Sequence, residues 1–426
     1  MSAHPGIEYL STLKPWTGNG EFGLTEITKV LVQLDNPHNK LKCLHIAGTN
    51  GKGSVCANIS ATLGAAGYKV GLTTSPHLSR VNERIVVDGQ AIGDSELDSA
   101  ALKIKSACQA AGVQLSFFEA ITTCAFLVFH ERGVDWAVIE VGLGGRLDAT
   151  NVISSPVVSA IVSIDLDHQV MLGETIPKIA AEKAGIMKRG VPVVVGNLPA
   201  EASLIVSERA RELSCPEIRF GFEYDYLKEE RGAQLNLGGR SFHISPALKG
   251  KHQIHNACIA AAVCSLIGCK EEFIQAGLGG TVWPGRLEEI EFSGKKFLLD
   301  AGHNPAGIRA LTTYLSENYD RKIGVVFGVL NTKNWAEMLK TLIPFASNWY
   351  IVEPQSESAV SSNLIVEYLS GNGIRAIEFG KDYEACLSRV FASDEKEFLM
   401  AGSIYMIGAM RAKISSNINR LWSRTV

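Results

Sequence analysis

The chain has 426 residues, 46% of them apolar and 20% charged, enough to bury the cores of two domains and too apolar for a disordered chain. A net charge of −3 without a basic block points away from a nucleic-acid surface, and nine cysteines with no CxxC spacing fit a reducing compartment. No apolar run reaches the ~18 residues of a membrane span, and Met1-Ser2-Ala3-His4-Pro5-Gly6 lacks the charged-then-apolar order of a signal peptide, so a cytoplasmic protein with no membrane partner is expected.

The first clear element is a strand predicted at 42–47, whose apolar run 43–47 reads as buried. Gly48-Thr49-Asn50-Gly51-Lys52-Gly53-Ser54 follow it, and the alanine-rich stretch 55–66 reads as a helix. Strand, glycine-rich turn and helix aim backbone N–H groups at phosphate oxygens. Lys52 offers a point charge for terminal phosphates, and the Ser54 hydroxyl can ligate Mg2+. Ile46 stands where the GxxxxGK[ST] pattern has its first glycine, so this loop is two residues shorter than the common form. An ordinary glycine turn with an exposed lysine is the alternative.

Further strands are predicted at 69–73, 136–141, 157–164 and 192–195, alternating with helices at 95–111, 119–131, 175–187, 200–213 and 252–267. That alternation predicts an α/β domain built on a mainly parallel sheet. Between 219 and 244 the pattern changes to period two, with turns at Arg231-Gly232 and Gly238-Gly239, and predicts a small antiparallel segment. Trp283-Pro284-Gly285-Arg286 interrupts both patterns. It suggests an N-terminal domain over 1–282, a linker at 283–287 and a C-terminal domain over 288–426. In the latter, strands at 296–299, 322–329, 349–352 and 397–401 alternate with helices at 306–317, 335–342, 361–370 and 404–414, as in a Rossmann-like α/β domain.

Ligands of open α/β sheets bind outside the carboxyl ends of the strands. Four polar clusters fall at such ends: Thr74-Ser75-Pro76-His77-Leu78, the run from Glu140 to Asn151, Asp165-Leu166-Asp167-His168, and Asp300-Ala301-Gly302-His303-Asn304-Pro305. Each alone can be a cap or a tight turn. Together, and beside a phosphate loop, they point to a nucleotide-using enzyme.

GTNGKGS, TSPHL with Asn82-Glu83-Arg84-Ile85, Phe118-Glu119, EVGLGGRLDATN, the Asp167-His168 pair, Glu182-Lys183-Ala184-Gly185-Ile186, HQIHNA, PGRLE and a DxxHNP turn occur in this order. With them the chain resembles the folylpolyglutamate synthases of the Mur ligase superfamily, and among these the bacterial bifunctional dihydrofolate synthase/folylpolyglutamate synthases. The resemblance implies an ATP-dependent ligase that activates a carboxylate as an acyl phosphate, which the amino group of L-glutamate attacks to form an amide. Dihydropteroate and reduced folates are the implied acceptors, Mg2+ in two sites the implied metal, and a monomer the implied state.

By this resemblance Gly51, Lys52, Gly53 and Ser54 hold phosphate, while Ser54, Ser75, Glu140 and His168 ligate metal. Imidazole is the unusual member, since it prefers softer cations than Mg2+. Lys183 matches the lysine that the family carbamylates, which would turn a repelled ammonium into an oxygen ligand. Asn256 matches an adenine contact, Arg286 a phosphate contact and Asp300 a ribose contact, with His303 beside it as a catalytic position. Gly23, Leu24, Thr25, Glu26, Ser116, Phe118, Leu147, Asp148 and Ala149 match the pterin site. There Asp148 would accept hydrogen bonds from the ring and Phe118 would stack on it.

Two places depart from the family pattern. The turn reads Asp-Ala-Gly-His, with its two small residues exchanged, and Asn334 follows Lys333 where aspartate is common. A cell-wall amino acid ligase would share the loop and the metal logic but usually carries another domain before it. A kinase or a nucleotide-binding regulator would lack the Lys183 segment.

Overall fold

The structure, a computed structural model, describes residues 3–14, 23–230 and 232–422, with side chains through 414. Arg231 of the predicted turn and the last four residues of the 288–426 segment lie outside the described residues. Two helices, α1 (Pro5–Thr12) and α2 (Thr25–Gln33), precede β1 (Cys43–Ala47). All five residues of β1 are buried, as expected of a strand covered on both faces of a parallel sheet. The chain continues through α3 (Lys52–Ala65), β2 (Val70–Thr73), the hairpin β3 (Ile85–Val87) and β4 (Gln90–Ala91), α4 (Asp94–Ala111), α5 (Phe117–Arg132) and β5 (Trp136–Glu140). Then come β6 (Val158–Ile161), the short α6 (Gln169–Leu172), α7 (Ile176–Ala184), β7 (Val193–Val195), α8 (Ala200–Glu212) and β8 (Glu217–Arg219). The antiparallel segment is a meander of β9 (Tyr224–Lys228), β10 (Ala233–Leu237) and β11 (Arg240–Ile244), followed by α9 (Lys251–Leu266) and α10 (Glu271–Gly280).

The strands of this part, the meander apart, form one sheet in the order β4-β3-β2-β5-β1-β6-β7-β8, parallel from β2 to β8. β1 is flanked by β5 and β6, which lie in opposite directions along the sheet. In register, Ile46 sits beside Glu140 on one side and Ala160 on the other. The carboxyl end of β1 is therefore the place where an open sheet offers a crevice.

The second series starts with β12 (Glu288–Phe292) and β13 (Lys295–Asp300), an antiparallel pair, and runs through α11 (Pro305–Asn318), β14 (Ile323–Phe327), α12 (Trp335–Leu342), β15 (Ala346–Val352), α13 (Ser362–Gly371), β16 (Ala376–Gly380), α14 (Tyr383–Ala392), β17 (Glu397–Ala401) and α15 (Ile404–Trp422). Its sheet order is β12-β13-β17-β14-β15-β16, parallel from β13 on.

Two compact units emerge. One holds residues 1–77, 81–247 and 253–282; the other holds 78–80, 248–252 and 283–426. The second unit thus takes in 283–287, set apart above as a linker, and two short stretches that the sequence assigns to the N-terminal side. Strand 157–164 is shorter than predicted because its last residues turn to clasp the neighbouring loop. Helix 175–187 ends at Ala184, after which residues 185–187 tighten into i→i−3 turns. Among the described residues no helix is long and apolar enough to cross a membrane, and all nine cysteines are free thiols.

Candidate active site

Residues 48–51 connect β1 to α3. The helix begins at Lys52, three residues before the predicted start, with Gly51 as its N-cap in the left-handed region at φ +82°. Lys52, Gly53 and Ser54 therefore form a first turn whose amides have no partner inside the helix, the arrangement that receives anions. A Cβ on residue 51 would lie 2.6 Å from Asn256 Oδ1, so only glycine lets α9 come this close. The Gln253 amide donates to Ser54 Oγ at 3.1 Å, and the Asn256 amide donates to Gln253 Oε1 at 3.0 Å. Gln253 carries no role in the sequence reading, although its place in HQIHNA, one turn before Asn256, was the available signal.

The end of β6 grips the other side of the loop. Ser163 accepts from the Thr49 amide through its carbonyl (2.8 Å) and from the Asn50 amide through Oγ (2.9 Å), and the Asp165 amide donates to Thr49 Oγ1 at 3.0 Å.

Two lysines converge on one carbonyl. Lys52 Nζ donates to Gly48 O at 3.0 Å and to Thr49 O at 3.2 Å, while Lys183 Nζ donates to Gly48 O at 2.9 Å. Lys183 is only 4% exposed. Burial first, and the charge of Lys52 second, push its pKa down to about 7, with Asp167 and Asp148 opposing. A neutral amine is therefore present near neutral pH. Asp167 is close enough to act on Lys183, a role its place beside His168 did not reveal.

Glu140 ends β5 as a buried carboxylate and accepts the Ser75 amide at 2.9 Å, tying the ends of β2 and β5 together. His168 stands at φ +51° before α6, its ring Nε2 3.9 Å from Asp167 Oδ1. Among the described residues no three His, Cys, Asp or Glu side chains form a metal cage.

The predicted pterin residues divide by local role. Gly23 and Leu24 lead into α2, Leu24 packs on the core, and Glu26 pairs with Lys29 at 3.2 Å while Thr25 is exposed. Ser116 caps α5 in a box with Glu119, whose carboxylate accepts the Ser116 amide at 2.8 Å and its hydroxyl at 2.7 Å. Phe118 presses its ring on the 142 backbone, where a Cβ would lie 2.3 Å from Cζ. Phe118 lines one small cavity with Ser75, Arg84 and Glu140. Leu147 is half-buried and Ala149 buried.

Asp148 is tied into the loop that carries it. Its Oδ1 accepts the Thr150 amide (3.0 Å) and hydroxyl (2.6 Å), its Oδ2 accepts the Leu143 amide (2.8 Å), and it is 3% exposed. These three bonds make Asp148 a brace of its own loop. Asp148→Asn places an NH2 against amide donors and is expected to cost about 2–4 kcal/mol in denaturant unfolding, with unchanged stability refuting the strut.

The brace extends inward. Thr150 Oγ1 donates to Asp148, so it accepts from His45 Nε2 at 2.8 Å, which fixes the Nε2–H tautomer. Burial drives His45 from 6.5 down to about 3, and it likewise holds His38, His77 and His255 at about 4. Between pH 6.5 and 3 the unfolded chain binds a proton that native His45 refuses, so its contribution is complete above 6.5 and is lost as pH falls. His45→Gln keeps a donor but cannot titrate. Measured by denaturant unfolding, it should flatten the stability loss between pH 6.5 and 4 by ~3 kcal/mol relative to the parent; an unchanged slope counts against this origin.

In the second unit, Asp300 closes β13 with Oδ1 on the Gly302 amide (2.9 Å) and Oδ2 on the Leu287 amide (3.1 Å). Arg286 is half-buried beside it in the 283–287 turn, and both act on His252, whose pKa burial lowers first, Asp300 raising it and Arg286 lowering it. The Ala301 carbonyl can only accept, so His303 donates from Nδ1 at 3.0 Å. The exchange of Ala and Gly in this turn leaves both bonds of Asp300 in place. Asn334 caps α12, bonding Glu337.

Two family models match the chain: Mur ligase middle domain over residues 46–264, and Mur ligase, glutamate ligase domain over 285–403. The folylpolyglutamate synthase of Lacticaseibacillus casei is 35% identical over 407 residues, covering 90% of this chain and 92% of the relative. The dihydrofolate synthase/folylpolyglutamate synthase of Bacillus subtilis is 30% identical over 420 residues, covering 92% and 95%. Among solved structures, Escherichia coli FolC in complex with DHPP and ADP superposes with a TM-score of 0.87 at 28% identity, covering 96% of this chain and 97% of that one. Relatives of this identity and coverage, on the same fold, establish that the chain belongs to the folylpolyglutamate synthase family of Mur ligases.

Proposed function

We propose that the protein is an ATP-dependent carbon–nitrogen ligase that adds L-glutamate to dihydropteroate and to the glutamate tail of reduced folates. The carrying observation is the convergence of Lys52 and buried Lys183 on the Gly48 carbonyl, at a helix start built to receive phosphate. We assign ATP phosphates to Gly51, Lys52, Gly53, Ser54 and Arg286, adenine to Asn256, ribose to Asp300, and a catalytic place to His303. Gln253 joins the set by holding the Ser54 hydroxyl.

The oxygen donors Ser54, Ser75 and Glu140 suit Mg2+, which takes hard oxygen ligands and commonly completes its shell with one or two carboxylates, water and substrate phosphates. Bound there, Mg2+ would neutralise charge on the transferring phosphate. His168 remains a proposed ligand at the edge of the set. The neutral Lys183 amine is the form that takes up carbon dioxide, giving a carbamate and releasing one proton. The half-exposed Phe118, with Ser116, the Leu147-Asp148-Ala149 segment and residues 23–26, is the proposed pterin surface.

We place pterin binding and most of the ATP contacts in the N-terminal part, to 282, and glutamate binding with part of the ATP contacts in the C-terminal part, from 288. The description of the model matched to residues 285–403 supports the latter. The absence of a basic block supports small-molecule partners, and we propose a cytoplasmic monomer.

The deciding assay supplies purified protein with ATP, Mg2+ and glutamate, and offers dihydropteroate or tetrahydrofolate separately. Amide product and ADP are expected with both. Product from the folate alone would leave a folylpolyglutamate synthase, and ATP turnover without either acceptor would overturn the ligase reading.

A further inference from the structure

α9 ends in a turn that sets two cysteines side by side. The Cys269 amide donates to the Cys264 carbonyl at 3.0 Å and the Gly268 amide to the Ser265 carbonyl at 3.0 Å, with Gly268 at φ +83°. This paired 6→1 and 5→2 pattern around a left-handed glycine is a Schellman cap. Such a cap brings together the side chains of the residues joined by its outer bond, usually two apolar ones. Here both are cysteine, and each thiol acts on the titration of the other.

The two thiols differ in access. Cys264 is buried at the helix end, while Cys269 is half-exposed in the short stretch before α10. We propose that Cys264 and Cys269 form a redox-active dithiol, converted to an intramolecular disulfide by a low-molecular-weight disulfide such as oxidised glutathione.

The Cys269 thiolate attacks one sulfur of the oxidant, forming a mixed disulfide and expelling one glutathione thiolate, which takes the proton that Cys269 lost. Cys264 then loses its proton and attacks Cys269 Sγ, expelling the second glutathione. Two protein thiols and one small disulfide become one protein disulfide and two small thiols. The geometry favours this order. The exposed sulfur meets the reagent, and the buried one is already in contact to resolve the adduct. The neighbouring Cys264 thiol also holds Cys269 below its ordinary pKa, which enriches the attacking thiolate. In a reducing solution the same pair is two small apolar side chains closing a cap.

The full-length protein is exposed to oxidised glutathione, then alkylated and mapped by mass spectrometry, with half-buried Cys215 as the internal reference for reagent access. The expected product is a tryptic peptide, 252–270, that carries both cysteines and is lighter by two hydrogens, with both thiols lost together and no lasting adduct on Cys269. In Cys264→Ala the resolving thiol is gone, and Cys269 should retain glutathione. In Cys269→Ser, Cys264 should stay reduced. Two alkylatable thiols at 264 and 269 under conditions that modify Cys215 would overturn the proposal. So would a stable glutathione adduct on Cys269 in the parent protein. The mapping of the parent protein decides even where a variant folds poorly.

Discussion

Lys52→Ala is expected to lower ATP-dependent ligation by ~10²-fold or more while leaving the fold intact. The Lys52 amine bonds the Gly48 and Thr49 carbonyls, both in its own loop, so its removal opens no core cavity. What disappears is a positive charge at a helix start that already favours anions, where preorganised charge acts on the transferring phosphate. Glu140→Gln should behave alike. Glutamine still accepts the Ser75 amide, so the tie between β2 and β5 survives and only the carboxylate charge is lost. Product formation is followed by chromatography and folding by circular dichroism. Near-parental turnover in either variant would refute the assigned ATP site, whereas a collapsed spectrum would mean that these side chains hold the fold.

Lys183→Ala should be inactive and partly rescued by short carboxylic acids, whose oxygens stand in for a carbamate. The structural basis is the buried amine, with a pKa of about 7, bonded to Gly48. At pH values above 7 most of the amine is neutral, so carbamate occupancy rises with pH and with bicarbonate, and mass spectrometry under non-acidic conditions should show it. Lys183→Arg supplies a cation that does not lose its proton, and should be neither active nor rescued. Activity independent of bicarbonate, together with a failure of acids to rescue Lys183→Ala, would show that the amine itself suffices.

Much of this molecule follows from local sequence. The run 43–47 carries a single polar residue, His45, too few for a solvated face, so it reads as an interior strand, and GTNGKGS after it as a turn into a helix. Period-two alternation between 224 and 244 specifies the meander because one of its faces is buried and the other is not. The clusters at Ser75, Glu140, Asp165 and Asp300 were legible for the same reason, since each follows a readable strand. The hairpin β3–β4, the edge strand β16 and the antiparallel β12 were not, because short or half-exposed strands carry little periodicity and are stabilised by their neighbours. Residues 78–80 and 248–252 belong to the second unit through packing, which chain order does not express.

The sequence by itself determined which residue types lie at the strand ends and that a phosphate loop opens α3. Only the tertiary structure decided their electrostatic state. Burial and the neighbouring Lys52 make Lys183 a weak base, and three convergent donors make Asp148 a brace of its loop. Charge and hydrogen-bond capacity depend on what surrounds a side chain in space, and residues far apart in the chain supply that surrounding.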